Sequence, residues 1–578
     1  VAFTLTPEAG RRFGAWTESH INDTLATILD NRVRSVATIQ SRIDERGQIV
    51  GVSRDDMLQQ VINLKSGALP ADMEFVAEHT VGASLGESSI RSGIAASAGG
   101  LALVGLFVLA YYRRSGVNAL ISIVVNLLIL VGFVAQIPVT MTLPGIAGLI
   151  LTIGMGVDSN ILVFERIREE LGRARSARRA VSGAFDRVWI TIVDTHVTSL
   201  VAAAFLFQFG TSPIRGFATT LTLGLLANVF TAVFVSRTLF EIALRQGTGT
   251  GEPSLPPAKT LTGGPGFRFS RWGRHAAAAS MLVIAAGVVA MATKGVPLGI
   301  EFSGGTAAVV EFPESHVTED DVRRAVAALP GDEIVQRFGP IEDRRFQIRV
   351  PPANEAPGWD ALEASVRSVT EALERAGLPA FHVVDRELVS AAIGADLQRR
   401  GVYATGLSLL AISTYIGVRF RPSFAVGAIA ATVHDVLVTL GCLAIAGYDL
   451  SLNVTAGLLT IIGYSVNDTI VIFDRVRENT RAMPGEPLAS VVDISVNQTL
   501  SRTVVTAGAT LLSVVALYLF GGEVLRGFAF TMLVGIVSGT YSTVFIASAI
   551  ATMFTRRGSS RRVRPSGVPS FDTGESLK

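Results

Sequence analysis

Asp158, Asp194, Asp435, Asp468 and Arg502 each fall inside a long hydrophobic run, where a charged side chain has few ways to be satisfied. An ionised carboxylate at the centre of a bilayer costs about 2.5–3.5 kcal/mol on insertion scales. A lone acid avoids that cost by taking up a proton, whereas a nearby guanidinium favours the charged form. An aspartate that alternates between the two settings can bind a proton and release it. These five residues therefore read as a candidate proton pathway.

Asp468 leads the set, because apolar sequence surrounds it for more than two helical turns on either side. Arg502, near the start of the following span, is its expected counter-ion. The alternatives are structural. Arg502 could snorkel to the interface, and Asp468 could be a simple hydrogen bonder. Asp194, close to His196, and Asp435 could be polar contacts that fix helix packing. His196 and His434 read as satisfied packing residues rather than proton carriers.

The elements that carry these residues are repeated. Residues 154–169 (GMGVDSNILVFERIRE) return as 463–478 (GYSVNDTIVIFDRVRE), each an apolar run closed by an acidic-basic collar. Residues 81–86 (VGASLG) resemble 389–394 (VSAAIG), and RGFA at 215–218 recurs at 526–529. The halves are parallel repeats in one membrane orientation. They are not equal. Without gaps Asp158 aligns with Asn467, and Ser159 with Asp468, so the acids are offset by about 100° around their helices. Asn126 stands opposite Asp435 in the repeat, and Thr191 holds the place of Arg502. The last equivalence holds in the frame set by Arg215 and Arg526, where Asp194 lies one helical turn beyond the level of Arg502. The proton chemistry leans towards the second copy.

Composition places these runs in a membrane. The chain is 49% hydrophobic and 17% charged, with a mean hydropathy of +0.46. A spanning helix needs about 20 mostly apolar residues. Eleven segments qualify, near 93–112, 117–137, 144–165, 188–209, 217–240, 275–293, 401–418, 423–446, 451–474, 500–520 and 527–554. A net charge of +2 is too small to argue for nucleic acid. The single Cys442 leaves no disulfide framework and no thiolate metal site. There is no P-loop, HExxH, CxxC or credible nucleophile–base pair, so the chain reads as a non-enzyme without a cofactor. Its energy would come from an ion gradient, where one charge crossing 100 mV is worth about 2.3 kcal/mol.

The predicted order is an extracytoplasmic segment (1–92), five helices (93–243), a Gly/Pro-rich linker (244–271) and a span (272–294). An extracytoplasmic insert (295–395), five more helices (396–555) and a basic tail (556–578) follow. In the first segment the pattern predicts strands at 1–6, 26–29, 34–39 and 73–81, with helices at 7–28 and 53–65. In the insert it predicts strands at 300–312, 333–338, 345–350 and 381–388, with helices at 318–329 and 359–376. That β-α-β-β-α-β order is ferredoxin-like. Ser303, Gly304 and Gly305 read as a turn or bulge. The collars 164–168 and 473–477 read as interfacial anchors and salt-bridge formers. Lys and Arg gather on one side of the spans, while the loops near 138–143 and 447–450 have none. The positive-inside rule puts the basic segments in the cytoplasm and both inserts outside. The chain opens on Val1 with no leading span, so further N-terminal sequence is expected before it.

Residues 143–148 (LPGIAG), with GMGVDSN and FERIRE after them, resemble SecD. GIEFSGGT at 299–306, HDV at 434–436 and 463–479 resemble SecF. The likeness runs through essentially the whole chain and is similar to the fused SecDF of some bacteria, in the RND superfamily. It implies a polytopic α-helical membrane protein with two pseudo-symmetric halves and small ferredoxin-like α+β extracytoplasmic domains. The implied function is a proton-driven accessory of the Sec translocon channel complex that acts on unfolded preprotein at the extracytoplasmic side of the bacterial inner membrane. Proton-transport residues carry over onto Asp158, Asp468 and Arg502. The first segment departs from the pattern, and is expected to keep only the membrane-proximal part of the SecD domain without its head. A proton-coupled RND exporter of lipids or small lipophiles is the alternative, although such inserts usually run to several hundred residues. A sterol-sensing-type receptor, needing no proton cycle, is a third.

Overall fold

The computed structural model describes residues 2–29, 32–49, 61, 77–137, 141–172, 176–246, 266–313, 317–327, 329, 334–339, 343–350, 359–420 and 422–559. They divide into two compact units, 1–75 and 76–578. The helix expected at 53–65, most of the linker and the tail beyond 559 lie outside the described residues.

The smaller unit is α+β. Strands β1 (Ala2–Thr4) and β4 (Arg46–Gln48) pair antiparallel, as do β2 (Thr24–Leu29) and β3 (Arg32–Thr38). Helix α1 (Pro7–Ser19) starts on Thr6, whose hydroxyl accepts from the Ala9 amide, with Pro7 pre-set for the first turn. The sequence predicts this helix to reach residue 28. It stops at Ser19, because Asn22 takes a positive φ of 74° and turns the chain into β2.

In the larger unit, β5 (Ala77–Val81) leads into five membrane helices. These are α2 (Ala83–Tyr112), α3 (Arg114–Gln136), α4 (Leu143–Leu171), α5 (Ala177–Phe209) and α6 (Ser212–Phe230), the last continuing through a π-turn (Thr231–Val235) into α7 (Ser236–Gln246). Helix α8 (Phe269–Lys294) is the sixth span. The insert then runs α9 (Ile300–Ser303), β6 (Gly305–Glu311), α10 (Glu319–Val326), β7 (Ile334–Arg337), β8 (Arg345–Val350), α11 (Trp359–Arg375) and β9 (His382–Val389). Five more membrane helices complete the unit: α12 (Ala391–Arg419), α13 (Pro422–Ala446), α14 (Leu452–Ala482), α15 (Leu488–Phe520) and α16 (Glu523–Ser542). The last again passes through a π-turn (Thr543–Ala547) into α17 (Ser548–Ser559). All eleven expected spans are present among the described residues. The most apolar window of α14 is 100% buried and that of α4 78%, against 11% for α8. The two motif helices are therefore the centre of the bundle, and α8 is peripheral.

The insert is ferredoxin-like. Its strands pair antiparallel in the order β9-β6-β8-β7, and β5 adds to the open edge of β9. One sheet thus joins the strand entering the first helical repeat to the strand entering the second. Thr318 and Asp321 form the capping box that their spacing predicts. The strand expected at 300–312 is shorter than predicted, since residues 300–303 wind into a helical turn. Gly304 and Gly305, at φ 73° and 116°, carry the chain from that turn into β6. The carbonyl of Phe302 accepts from Gln398 Nε2 at 2.7 Å, which ties the turn to α12.

Candidate functional site

Helices α4 and α14 bring their motifs together at the centre of the unit, and α5 and α15 close round them. Asp158, Asp468 and Arg502 are 8%, 5% and 7% exposed, so Arg502 does not snorkel. Arg502 Nη2 lies 3.5 Å from Asp158 Oδ1. This corrects the sequence-based pairing of Arg502 with Asp468. Helix α15 packs along α4 as well as beside α14, and the one-residue offset turns the first-half acid towards it. Asp158 Oδ2 accepts from Asn467 Nδ2 at 2.7 Å. Asp468 stays within coulombic reach of both Asp158 and Arg502. Its Oδ2, and Nε and Nη1 of Arg502, are buried without hydrogen-bond partners. Two acids and one guanidinium thus share a buried site in which, among the described residues, part of their bonding capacity has no protein partner.

Asp194 and Asp435 stand apart from this cluster. Asp194 accepts from Tyr415 Oη and Arg419 Nε, both at 2.7 Å, and so ties α5 to α12 across the halves. Asp435 is fully buried. It accepts from Ser465 at 2.5 Å, Ser538 at 2.6 Å and Ser542 at 2.7 Å, with His434 Nδ1 at 3.0 Å. Its repeat partner Asn126 has one long bond, to the Gly224 carbonyl at 3.4 Å. His196 is satisfied, since Nδ1 lies 2.8 Å from the Ile192 carbonyl and Nε2 lies 2.9 Å from Asn228 Nδ2. His434 Nε2 has no partner.

The collars are cross-linked reciprocally. Arg166 reaches Glu478 at 3.2 Å, and Arg475 reaches Glu169 at 3.1 Å, so equivalent residues of the repeat swap partners. Thr191, in the place of Arg502, donates to Asp474 at 3.2 Å. Between the collars lies a cavity of about 640 Å³. Its wall runs from Asp186 and Arg187, past Glu169, Asp474 and Thr191, to Arg502. The cavity runs from the collar end of the bundle to Arg502, the member of the buried cluster that lines it.

Sequence reading missed Asn467, Tyr415, Arg419 and the three serines. Asn467 is visible in the repeat as the residue aligned with Asp158, but a neutral amide in an apolar run carries no charge to single it out. The serines carry no charge and become visible only when α14 and α16 are folded against α13.

Paired five-helix repeats with ionisable groups buried at their common centre, and an α+β insert before the second, define a two-fold pseudo-symmetric multi-pass membrane protein of the transporter type. Residues 61–246 and 368–557 match the family described as protein export membrane protein SecD/SecF, C-terminal. Residues 289–312 match the SecD/SecF GG motif. The chain belongs to the SecDF family. The protein translocase subunit SecDF of Thermus thermophilus is 36% identical over 96% of this chain and 74% of its own length. That of Brucella abortus is 34% identical over 96% and 72%. A crystal structure of SecDF from Thermus thermophilus, described as a translocon-associated membrane protein, superposes with a TM-score of 0.77 at 34% identity, covering 96% of this chain and 75% of that one. The hedgehog release protein Disp of the water bear Hypsibius dujardini shares the fold alone, at 14% identity and a TM-score of 0.53. Residues 1–71 match the SecDF P1 head subdomain. This corrects the expectation that the first segment lacks the head.

Proposed function

We propose that this protein is a proton-motive-force-driven accessory subunit of the Sec translocon. It assists translocation and release of unfolded preprotein at the extracytoplasmic face of the bacterial inner membrane, with the collars at the cytoplasmic face. What carries the reading is Asp158, Asp468 and Arg502 buried together between the halves, with Arg502 at the wall of a cavity that begins at the collars. Two carboxylates facing one guanidinium leave one negative charge uncompensated. A proton on one of the acids balances it. A proton arriving from outside loads Asp468. Arg502 then shifts between the acids, and the proton leaves through the cavity. Asp194 and Asp435 hold the surrounding helices in register while the cluster changes. Because β5 and β9 share one sheet and each leads into the first helix of a repeat, relative motion of the halves is passed to the soluble elements.

Reconstituted with translocon and an exported substrate, the wild type should release substrate in proportion to the imposed proton gradient. Asp468→Asn should abolish that response. Normal export, with loss of small-lipophile efflux instead, would favour the exporter reading. A silent Asp468→Asn would favour a receptor without a proton cycle.

A further inference from the structure

A second pocket, of about 240 Å³, lies at the collar end where α12 stops, α13 begins and α14 emerges. It is lined by Arg419, Phe420, Phe424, Arg477, Thr480 and Arg481. Among the described residues that line it, three are arginines and none is an acid. Arg419 commits Nε to Asp194, which leaves its two terminal nitrogens. Arg477 and Arg481 have no carboxylate within ion-pairing distance among the described residues. Cations that line one pocket repel one another less when an anion sits among them, and these three arginines also border the larger cavity that Asp474 and Glu478 line.

The surroundings identify the anion. Phe420 and Phe424 are buried and line the same pocket, and Phe424 packs on Phe473 with ring centroids 4.9 Å apart. Helix α12, which ends in Arg419, exposes Val402, Tyr403, Leu410 and Val418, the last at 85%. Exposed apolar side chains along a membrane helix face lipid. The pocket thus joins a cationic wall to an aromatic one beside a lipid-facing helix, a pattern that suits phospholipid headgroups. We propose that it binds the phosphodiester headgroup of one anionic phospholipid of the adjoining leaflet through Arg419, Arg477 and Arg481. Since Arg419 also holds Asp194, the bound headgroup steadies the contact between the halves. Free phosphate shares the chemistry, but would leave the aromatic wall and the lipid-facing opening without a role.

The test is native mass spectrometry of the full chain released from detergent, titrated with phosphatidylglycerol, phosphatidylcholine or inorganic phosphate. The wild type should retain one more phosphatidylglycerol than the Arg477→Gln/Arg481→Gln variant. Affinity should fall about fivefold per arginine removed, on the scale of one basic residue at an anionic surface. Arg481→Gln alone, at an exposed position, should show the single step even if the double variant is poorly folded. Equal retention by wild type and Arg481→Gln would overturn the proposal. So would equal retention of phosphatidylcholine, or displacement of phosphatidylglycerol by millimolar phosphate.

Discussion

Asp158 and Asn467 are the same residue of the repeat, 309 positions apart, and they hydrogen-bond to each other at 2.7 Å. Equivalent residues can meet only where the pseudo-two-fold axis passes, so the axis runs through the buried cluster of Asp158, Asp468 and Arg502. One side of the meeting point is an acid and the other an amide. Two acids there would repel, and two amides would have no charge to offer Arg502. Asn467→Ala removes the donor to Asp158 Oδ2 inside a buried site. The expected cost is about 1–3 kcal/mol, the range for leaving a buried acceptor unsatisfied. It should appear as a lower thermal unfolding midpoint, and Asn467→Asp, which sets a second acid against Asp158, should lower it further.

The two acids of the second half should separate on stability. Asp435 accepts from three serines and lies against His434, while Asp468 Oδ2 has no partner. Asp435→Asn puts an amide NH2 where hydroxyls donate, and should cost about 1–3 kcal/mol. Asp468→Asn removes a buried, incompletely paired charge and should leave the unfolding midpoint unchanged or raise it. Proton response should follow the opposite order, lost in Asp468→Asn and retained in whatever fraction of Asp435→Asn is folded. If Asp468→Asn unfolds the protein and Asp435→Asn does not, the assignment of roles is reversed.

The spans, the repeat, the ferredoxin-like insert and the acids inside the spans were legible because each rests on a local signal. An acid in an apolar run, a capping box at Thr318 and a Gly-Gly step at 304–305 need no tertiary information. Partner choice was not legible. Arg502 stands in the span after Asp468, and proximity in the chain pointed to that acid, yet α15 meets Asp158 on α4. Arg419 counted only as a positive-inside residue until α12 packed beside α5 and brought it to Asp194. The addition of β5 to β9 joins segments 308 positions apart, and no periodicity reports on that.

Gly154 and Gly463 show how closely the halves are pressed. They occupy one column of the repeat, and each faces the other half, Gly154 against Thr510 and Ser513 on α15, Gly463 against Ser199 and Ala202 on α5. A Cβ on Gly154 would stand 2.9 Å from the Thr510 Cα, a backbone atom that cannot turn aside. At Gly463 the nearest atoms are 3.2 Å away. Gly154→Ala should therefore destabilise by about 1–3 kcal/mol, as overpacked cores do, and Gly463→Ala by less. Unfolding midpoints of the two variants, measured side by side, check the order. Equal losses would mean that α15 yields as readily as α5.

The last prediction concerns the soluble end. Glu387 on β9 is cross-strand from His79 on β5. Burial, then the neighbouring Glu301, pushes its carboxyl up to about 8, with Asp385 adding while His79 and Arg349 oppose. His79 is itself raised, chiefly by Asp385, whose Oδ1 lies 3.2 Å from Nε2 as an ion-pair contact. For Glu387, the folded state holds a proton between about pH 4.5 and 8 that the unfolded chain has lost. Stability therefore falls as pH rises across that window. A raised histidine acts in the same direction. Its contribution is complete below the unfolded value of 6.5 and is lost as pH rises through the folded one. The β5–β9 pairing should therefore loosen from pH 5 to 8. Protection of the β5 amides in hydrogen exchange, corrected for intrinsic rates, should drop over this range, and Glu387→Gln should flatten most of the slope. Protection that rises with pH in the wild type, or an unchanged slope in Glu387→Gln, would rule out Glu387 as the titrating group.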